Sequence, residues 1–313
     1  MEVTDSVGES VDEEIGKERV MAVNAPIVVA VDGSDTALEA LRWGALAAVR
    51  ENRSLRVVGV VETVAAGYAP GVLMTPAVAE ALHADARRAV DEAIAAATKV
   101  SADVDAEGEV REGRPALVLR EISSGAHLLV VGRRGRGGVA GLLLGSVSSD
   151  VAAHADCPVV VVSGPVPQTG PVVVGVDGSA ISQAALGAAF TQAAELGTSL
   201  VVVSTYPGFS GEGFYDQDEV LAQFRDGTTE SVERQVAEHR RDHPAADTVS
   251  VETAVVAGDP APRIIEAAGD AQLIVLGSRG RGGFRGLLLG STSQAVLHTA
   301  SCPVMIVHSE RSR

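Results

Sequence analysis

The chain has 313 residues, 46% hydrophobic and 21% charged, a globular balance with length for about two domains. Its 25 basic and 41 acidic side chains give a net charge of −16, which argues against general binding to nucleic acid or an anionic membrane. No run approaches the ~20 apolar residues of a membrane span. Two cysteines, Cys157 and Cys302, are too few for a disulfide framework and fit a reducing compartment, so the expectation is a soluble cytoplasmic protein.

In chain order, the residues before Pro26 are rich in Asp and Glu, lack aromatics and lack an apolar signal core. They predict a disordered acidic tail over residues 1–25, not a secretory signal, and an internal start at Met21 would remove most of it. Ile27 to Val31 is a β-branched run closed by Asp32-Gly33-Ser34 and predicts a strand buried on both faces. Asp35 to Arg50 spaces Leu38, Leu41, Ala45, Ala48 and Val49 as a helix does. Leu55 to Val61 predicts a second strand, Thr63 to Pro76 a loop, and Ala77 to Lys99 a long Ala-rich helix. Val104 to Arg111 reads as a polar third strand at a sheet edge. Gly113-Arg114-Pro115 breaks the chain and places Pro115 at the first position of a helix to about Ser123. Leu128 to Val131 is a fourth strand; a glycine-rich loop, a helix from Ser146 to Ala155 and a last strand from Pro158 to Val162 follow. Strands alternating with helices predict an α/β fold, a doubly wound parallel sheet covered on both faces, with ligands at the carboxyl ends of the strands.

The whole unit is then written again. Asp32 and Asp177, Gly132 and Gly277, Gly145 and Gly290, and Cys157 and Cys302 are all 145 residues apart. Between Gly132–Ser148 and Gly277–Ser293, 13 of 17 positions match, whereas Thr63 to Lys99 and Gly208 to Pro244 share little. The Gly/Pro-rich stretch over 164–170 is a short connector. The expected domains are therefore 26–163 and 171–309, in tandem.

The repeated loop reads Gly132-x2-Gly135-x9-Gly145-Ser146 and Gly277-x2-Gly280-x9-Gly290-Ser291. Glycines let backbone N–H groups approach an anion, and a following helix aims its free N–H groups at the same point. The loop lacks the Gly-Lys-Ser/Thr ending of a Walker A motif and the closer spacing of a dinucleotide fingerprint. A tight strand-to-helix turn that binds nothing is the alternative reading.

The Asp-Gly-Ser after the first strand, the G-x2-G-x9-G-[ST] loop and the closing Cys-Pro-Val strand together resemble the universal stress protein family, in its tandem two-domain form. The resemblance covers Pro26 to His308. It implies an adenine-nucleotide α-hydrolase-like fold with five parallel strands per domain in the order 3-2-1-4-5, and ATP with Mg2+ or Mn2+ as the ligand. Carried over by position, it implies that the Ala30 backbone and the Asp32 carboxylate meet adenine or ribose and that Val60 supplies the adenine wall. Gly132 and Gly135 would take ribose and phosphate, and Gly145, Ser146, Val147 and Ser148 the phosphates. The matching second-half residues are Gly175, Asp177, Thr205, Gly277, Gly280, Gly290, Ser291, Thr292 and Ser293. Thr205 departs from the usual apolar residue of the adenine wall. Hydroxyls of Ser146 and Ser148, and Arg133, Arg134, Arg136, Arg279, Arg281 and Arg285, are further candidates toward phosphate.

Asp32 and Asp177 have a second expected role as caps of the following helices. Cys157 and Cys302 read as inert buried thiols, and His239 and His243, four apart but without a third ligand, as solvated. No histidine recurs at the 145-residue offset and no nucleophile elbow is present, so no hydrolase constellation is evident. Three functions compete: a nucleotide-binding regulator in stress response, growth arrest or dormancy, a slow ATPase or phosphoryl-transfer enzyme, and a nucleotide-free interaction scaffold. The divergent Gly208 to Asp218, with Phe209, Phe214 and Tyr215, reads equally as a surface for an unidentified regulatory protein partner or as a drifting loop. A pseudo-dimer of the two halves through Pro158–Val162 and Pro303–Val307, and a homodimer of chains, are expected from the family.

Overall fold

The computed structural model describes residues 25–62, 75–137, 143–208, 217–281 and 289–308. The acidic tail up to residue 24, the loop after Glu62, Phe209, Phe214, Tyr215 and Arg285 lie outside them. The first half runs β1 (Ile27–Val31), α1 (Asp35–Arg50), β2 (Leu55–Val61), α2 (Pro76–Val100), β3 (Ala106–Glu112), α3 (Pro115–Ser123), β4 (Leu128–Gly132), α4 (Ser146–His154) and β5 (Val159–Val162). The second half runs β6 (Val172–Gly175), α5 (Ala180–Leu196), β7 (Leu200–Tyr206), α6 (Gln217–Asp242), a 3-10 turn (Pro244–Thr248), β8 (Val251–Ala257), α7 (Pro260–Ala267), β9 (Leu273–Gly277), α8 (Ser291–Thr299) and β10 (Val304–Val307).

Local chemistry sets the ends of these elements. Ser34 and Ser179 are N-caps whose hydroxyls accept the Ala37 and Ser182 N–H groups, and Pro76, Pro115 and Pro260 open their helices where a missing N–H costs nothing. The third strand begins at Ala106, two residues later than the expected Val104. Ser101 turns the chain there, accepting the Asp103 N–H on its hydroxyl and the Val104 N–H on its carbonyl.

Each half has the strand order 3-2-1-4-5, and all pairs within a half are parallel. The halves do not carry separate sheets. β5 and β10 pair antiparallel, Val161 opposite Val304 and Val159 opposite Ile306, so ten strands form one continuous sheet. β5 and β10 are apolar and wholly buried, and an unpaired edge of that kind would be a template for aggregation. The outer edges, β3 with Glu107, Glu109 and Glu112 and β8 with Glu252, are polar instead. One apolar cluster packs α1, α2, α5 and α6 on one face, and a second packs α3, α4, α7 and α8 on the other; both contain residues of both halves. No helix among the described residues is long and apolar enough to cross a membrane.

β1 lies between β2 and β4, and β6 between β7 and β9. The chain therefore reverses its direction of travel across the sheet at β1/β4 and at β6/β9, and the carboxyl ends of these strand pairs open a crevice. The two segments that leave those ends are Asp-Gly-Ser and the glycine-rich loop.

Candidate functional site

In each half the aspartate after the first strand ties these two segments together. Asp32 accepts the Ser34 N–H on Oδ1 at 3.0 Å and the Arg136 N–H on Oδ2 at 2.7 Å. Asp177 accepts the Ser179 N–H at 2.9 Å and the Arg281 N–H at 2.7 Å in the same way. Helix capping falls to Ser34 and Ser179, which corrects that expectation for the aspartates. Gly33 and Gly178 both have φ +77°, which lets the chain turn back under the arginine. A Cβ on Gly280 would stand 2.5 Å from Asp177 Oδ2, and one on Gly135 would run into Asp32 Oδ2, so the second glycine of each motif makes room for the carboxylate. Burial pushes the Asp177 carboxyl up, but hydrogen bonds from Ser179, Arg281 and Ser182 outweigh it and hold the group below its ordinary range.

The far end of each loop is closed just as locally. Gly145 N–H donates to the Arg133 carbonyl at 2.9 Å and Gly290 N–H to the Ser278 carbonyl at 2.7 Å. Gly145 and Gly290 are the N-caps of α4 and α8 and offer no capping side chain. The first N–H groups bonded within these helices are those of Ser149 and Gln294. The N–H groups of Ser146, Val147 and Ser148, and of Ser291, Thr292 and Ser293, have no carbonyl one turn back in their helix, and the positive ends of two helix dipoles open onto the loops.

In the second half all nine residues expected at the site, from Gly175 to Ser293, line one cavity of about 460 Å3. That lies within the ~300–1,000 Å3 of small-molecule sites. Val203, Pro260, Ile264 and Leu276 supply an apolar wall, and the loop and the start of α8 supply the polar end. In the first half Asp32 and Val60 line a hollow of about 210 Å3 with Glu62, Asp85 and Arg136. Ala30, Gly132, Gly135, Gly145, Ser146, Val147 and Ser148 do not line that hollow, and Ala30 and Val147 pack against the core cluster.

Several side chains behave otherwise than their types suggest. The Ser148 and Ser293 hydroxyls are buried and donate inward, to the Arg133 and Gly277 carbonyls at 2.9 and 2.7 Å, so they are not turned toward the loop opening. Arg133 donates from its guanidinium to the Leu143 carbonyl of its own loop and to the His298 and Ala300 carbonyls of the other half. Arg134, Arg136, Arg279 and Arg281 remain exposed at the rim. His243 is exposed as expected, whereas His239 is half-buried and stacks between Phe190 and His243, with ring centroids 4.6 and 4.4 Å apart. Cys157 and Cys302 are buried, and burial pushes their thiols up to about 12 and about 11.

Composition and spacing did not single out Ile264 or Leu276. A Cβ on Gly175 would sit 2.7 Å from the Ile264 methyl and 2.8 Å from that of Leu276, which is why glycine stands where the first half has Ala30. The only sequence trace of this contact is that Ala-to-Gly difference between two otherwise similar strands.

A family model described as "Universal stress protein family" matches residues 24–163 and again 169–308. A universal stress protein of Mycobacterium tuberculosis H37Rv is 35% identical over 300 residues, covering 90% of this chain and 96% of the relative. A solved universal stress protein from Archaeoglobus fulgidus DSM 4304 shares the fold, with a TM-score of 0.67 at 18% identity over 94% of this chain and 100% of that one. Another from Archaeoglobus fulgidus, solved in complex with dAMP, is 26% identical over 44% of this chain and 98% of its own, with a TM-score of 0.32. Two matched segments that together span most of the chain, and a relative 35% identical over 90% of this chain and 96% of its own, place this protein in the universal stress protein family, with two such domains in tandem.

Proposed function

We propose that the protein is an ATP-binding regulator with one site per half, acting through what it holds rather than through turnover. The observation that carries this reading is the second-half cavity, apolar at one end and bounded at the other by a glycine-rich loop and an uncapped helix N-terminus. Adenine fits the wall of Val203, Ile264 and Leu276, ribose the Asp177 side, and phosphates the N–H groups of Ser291 to Ser293. No group of three or more His, Cys, Asp or Glu side chains suited to a metal ion occurs among the described residues. Mg2+ or Mn2+ would enter this site on the triphosphate, whose oxygens supply the ligands that the protein does not.

Both Asp177 oxygens accept backbone N–H groups and the Ser293 hydroxyl donates to a carbonyl. These groups are committed to holding the loop, which supports binding over catalysis of phosphoryl transfer, where an oriented nucleophile is needed. In this reading residues 26–163 and 171–309 are the two binding domains, 164–170 the connector and 1–25 a tail outside them. The chain works in the cytoplasm as a homodimer and signals in stress response, growth arrest or dormancy to an unidentified protein partner.

The test is nucleotide content after denaturation of the purified protein, with calorimetric titration of ATP and Mg2+ into wild type and Gly145→Asp/Gly290→Asp. The new carboxylates would cap the two helices themselves and repel phosphate. Two ATP per chain in wild type and none in the variant is the expected result. Wild type without nucleotide and without heat would leave the scaffold reading, and ADP released on incubation with ATP would favour the enzyme.

A further inference from the structure

The two glycine-rich loops differ in one respect that their sequences conceal. Arg133, the residue after the first glycine of the first loop, stands where the second loop has Ser278. The Arg133 backbone closes the first loop, its carbonyl accepting both the Gly145 N–H and the Ser148 hydroxyl at 2.9 Å. Its side chain spans from that loop across the β5–β10 seam. Nη1 donates to the Ala300 carbonyl at 2.8 Å and Nη2 to the His298 carbonyl at 3.1 Å, both at the C-terminal end of α8, while Nε donates to Leu143 at 2.8 Å. These α8 carbonyls are among the last of the helix, which have no N–H within it to accept, and a cation is favoured at that end. At the other end of the same nine-residue helix, about 13 Å away, Ser291 to Ser293 line the second-half cavity.

The opposite link is built differently. α4 is gripped near its C-terminal end by His308, whose Nε2 lies 2.9 Å from the Ala152 carbonyl and whose Nδ1 lies 3.1 Å from that of Cys157. His308 follows the last strand and belongs to neither loop. Ser278 is buried and short, and its backbone bonds to Val307 and Gly290 within its own half. Only the first loop therefore has a side chain anchored on the other half's phosphate-facing helix among these contacts.

We propose that α8 couples the two sites: an anion seated at its N-terminal end in the second half tightens the first half's loop through Arg133. The proposal rests on the anion-binding reading of the second cavity. The mechanism is the cooperativity of a short helix. Satisfying its N-terminal N–H groups suppresses fraying along its length, which fixes the carbonyls that Arg133 holds and, through the Arg133 carbonyl, the Gly145 and Ser148 bonds that shape the first loop. Arg133 is a positioning residue in this scheme and touches no ligand.

The test uses the full chain without nucleotide. Gly290→Asp supplies a permanent carboxylate at the α8 N-terminus, and at Gly290 a Cβ meets only ordinary contacts, 3.5 Å from Arg279 Cα. Hydrogen exchange of the Gly145 and Ser149 amides is measured in wild type, Gly290→Asp, Arg133→Ser and the double variant. Arg133→Ser copies the residue of the second loop, and Arg133→Lys serves as a second variant that keeps the charge but not the fork. The expected result is exchange about threefold slower in Gly290→Asp than in wild type, with no such slowing when Arg133 is Ser and a partial one when it is Lys. Equal slowing with and without Arg133, or none in either, overturns the coupling. A parallel titration of wild type with ATP and Mg2+ judges the nucleotide reading separately, since the exchange cycle needs no nucleotide.

Discussion

Asp177 and Arg281 are joined by a backbone N–H to carboxylate bond of 2.7 Å, and Asp32 and Arg136, 145 residues earlier, repeat it at the same length. An acidic residue that family resemblance assigns to adenine or ribose is thus also the latch between the end of the first strand and the glycine-rich loop. The latch has consequences that can be measured apart from ligand binding.

Asp177→Asn keeps one acceptor oxygen and loses the other together with the charge. A hydrogen bond to a charged group contributes about 1.5–3 kcal/mol when buried; at this half-exposed position a loss of about 1 kcal/mol is expected. The folded carboxyl lies below its ordinary range, so its contribution is full above the unfolded value near ~4 and fades as pH falls through the lower folded value. Urea unfolding of wild type and variant should differ by a constant amount from pH 6 to 8 and converge in acid below about pH 4. A difference that persists unchanged at pH 2 would show that the charge is not the cause.

Gly280→Ala puts a methyl group 2.5 Å from the oxygen that accepts the Arg281 N–H. The expected cost is about 1–2 kcal/mol, from a broken latch and a displaced loop. Because it removes the same bond, combining it with Asp177→Asn should add little. The check is a double-mutant cycle, in which additivity within about 0.5 kcal/mol would mean that the two changes act separately.

Glu195 gives the opposite pH dependence. Gln192, buried where α5 meets the end of α1, donates to Glu51 Oε1 and to Glu195 Oε2, both at 3.2 Å, and so holds two carboxyls together across the halves. His127 Nε2 stands 2.9 Å from Glu51, and Arg53 also faces it, at 3.6 Å. Burial raises the Glu51 carboxyl, but His127, Gln192 and Arg53 outweigh it and bring it below the ordinary range. Burial, with the Glu51 charge adding to it and Arg50 opposing, pushes Glu195 up to about 7. The folded chain therefore holds a proton that the unfolded chain releases near ~4.3, and stability falls as pH rises from about 4 to 7. Glu195→Gln should match wild type near pH 4 and exceed it by about 1 kcal/mol at pH 8, a figure reduced for partial exposure. Thermal unfolding across that range checks it, and a variant less stable at pH 8 refutes it.

The two thiols should resist alkylation. With burial raising Cys157 to about 12 and Cys302 to about 11, thiolate is scarce at pH 8 and access is blocked. Iodoacetamide should label neither residue in the native protein within an hour and both in 6 M guanidinium. Fast native labelling of either would show that its strand opens readily.

Much of this protein could be read from local pattern. The β-branched runs, the helical spacing of Leu38 to Val49, the proline starts and the two glycine motifs each act over a few residues, and the structure forms the elements where they stand. The 145-residue repeat, together with family resemblance, also placed the nine second-half residues that line the cavity. What the tertiary structure alone decided depends on groups far apart in the chain. Arg133 looked like a phosphate ligand because it sits in the loop, but besides Leu143 in that loop its partners lie 165 and 167 residues away and are in reach only because β5 pairs with β10. The resemblance places the seam at these two last strands; their antiparallel register joins the two five-stranded sheets into one and brings Glu195 beside Glu51. Periodicity encodes which face of an element is apolar, and says nothing about which polar atom across a seam will satisfy a helix end. That choice is made when distant edges meet and every buried donor must find an acceptor.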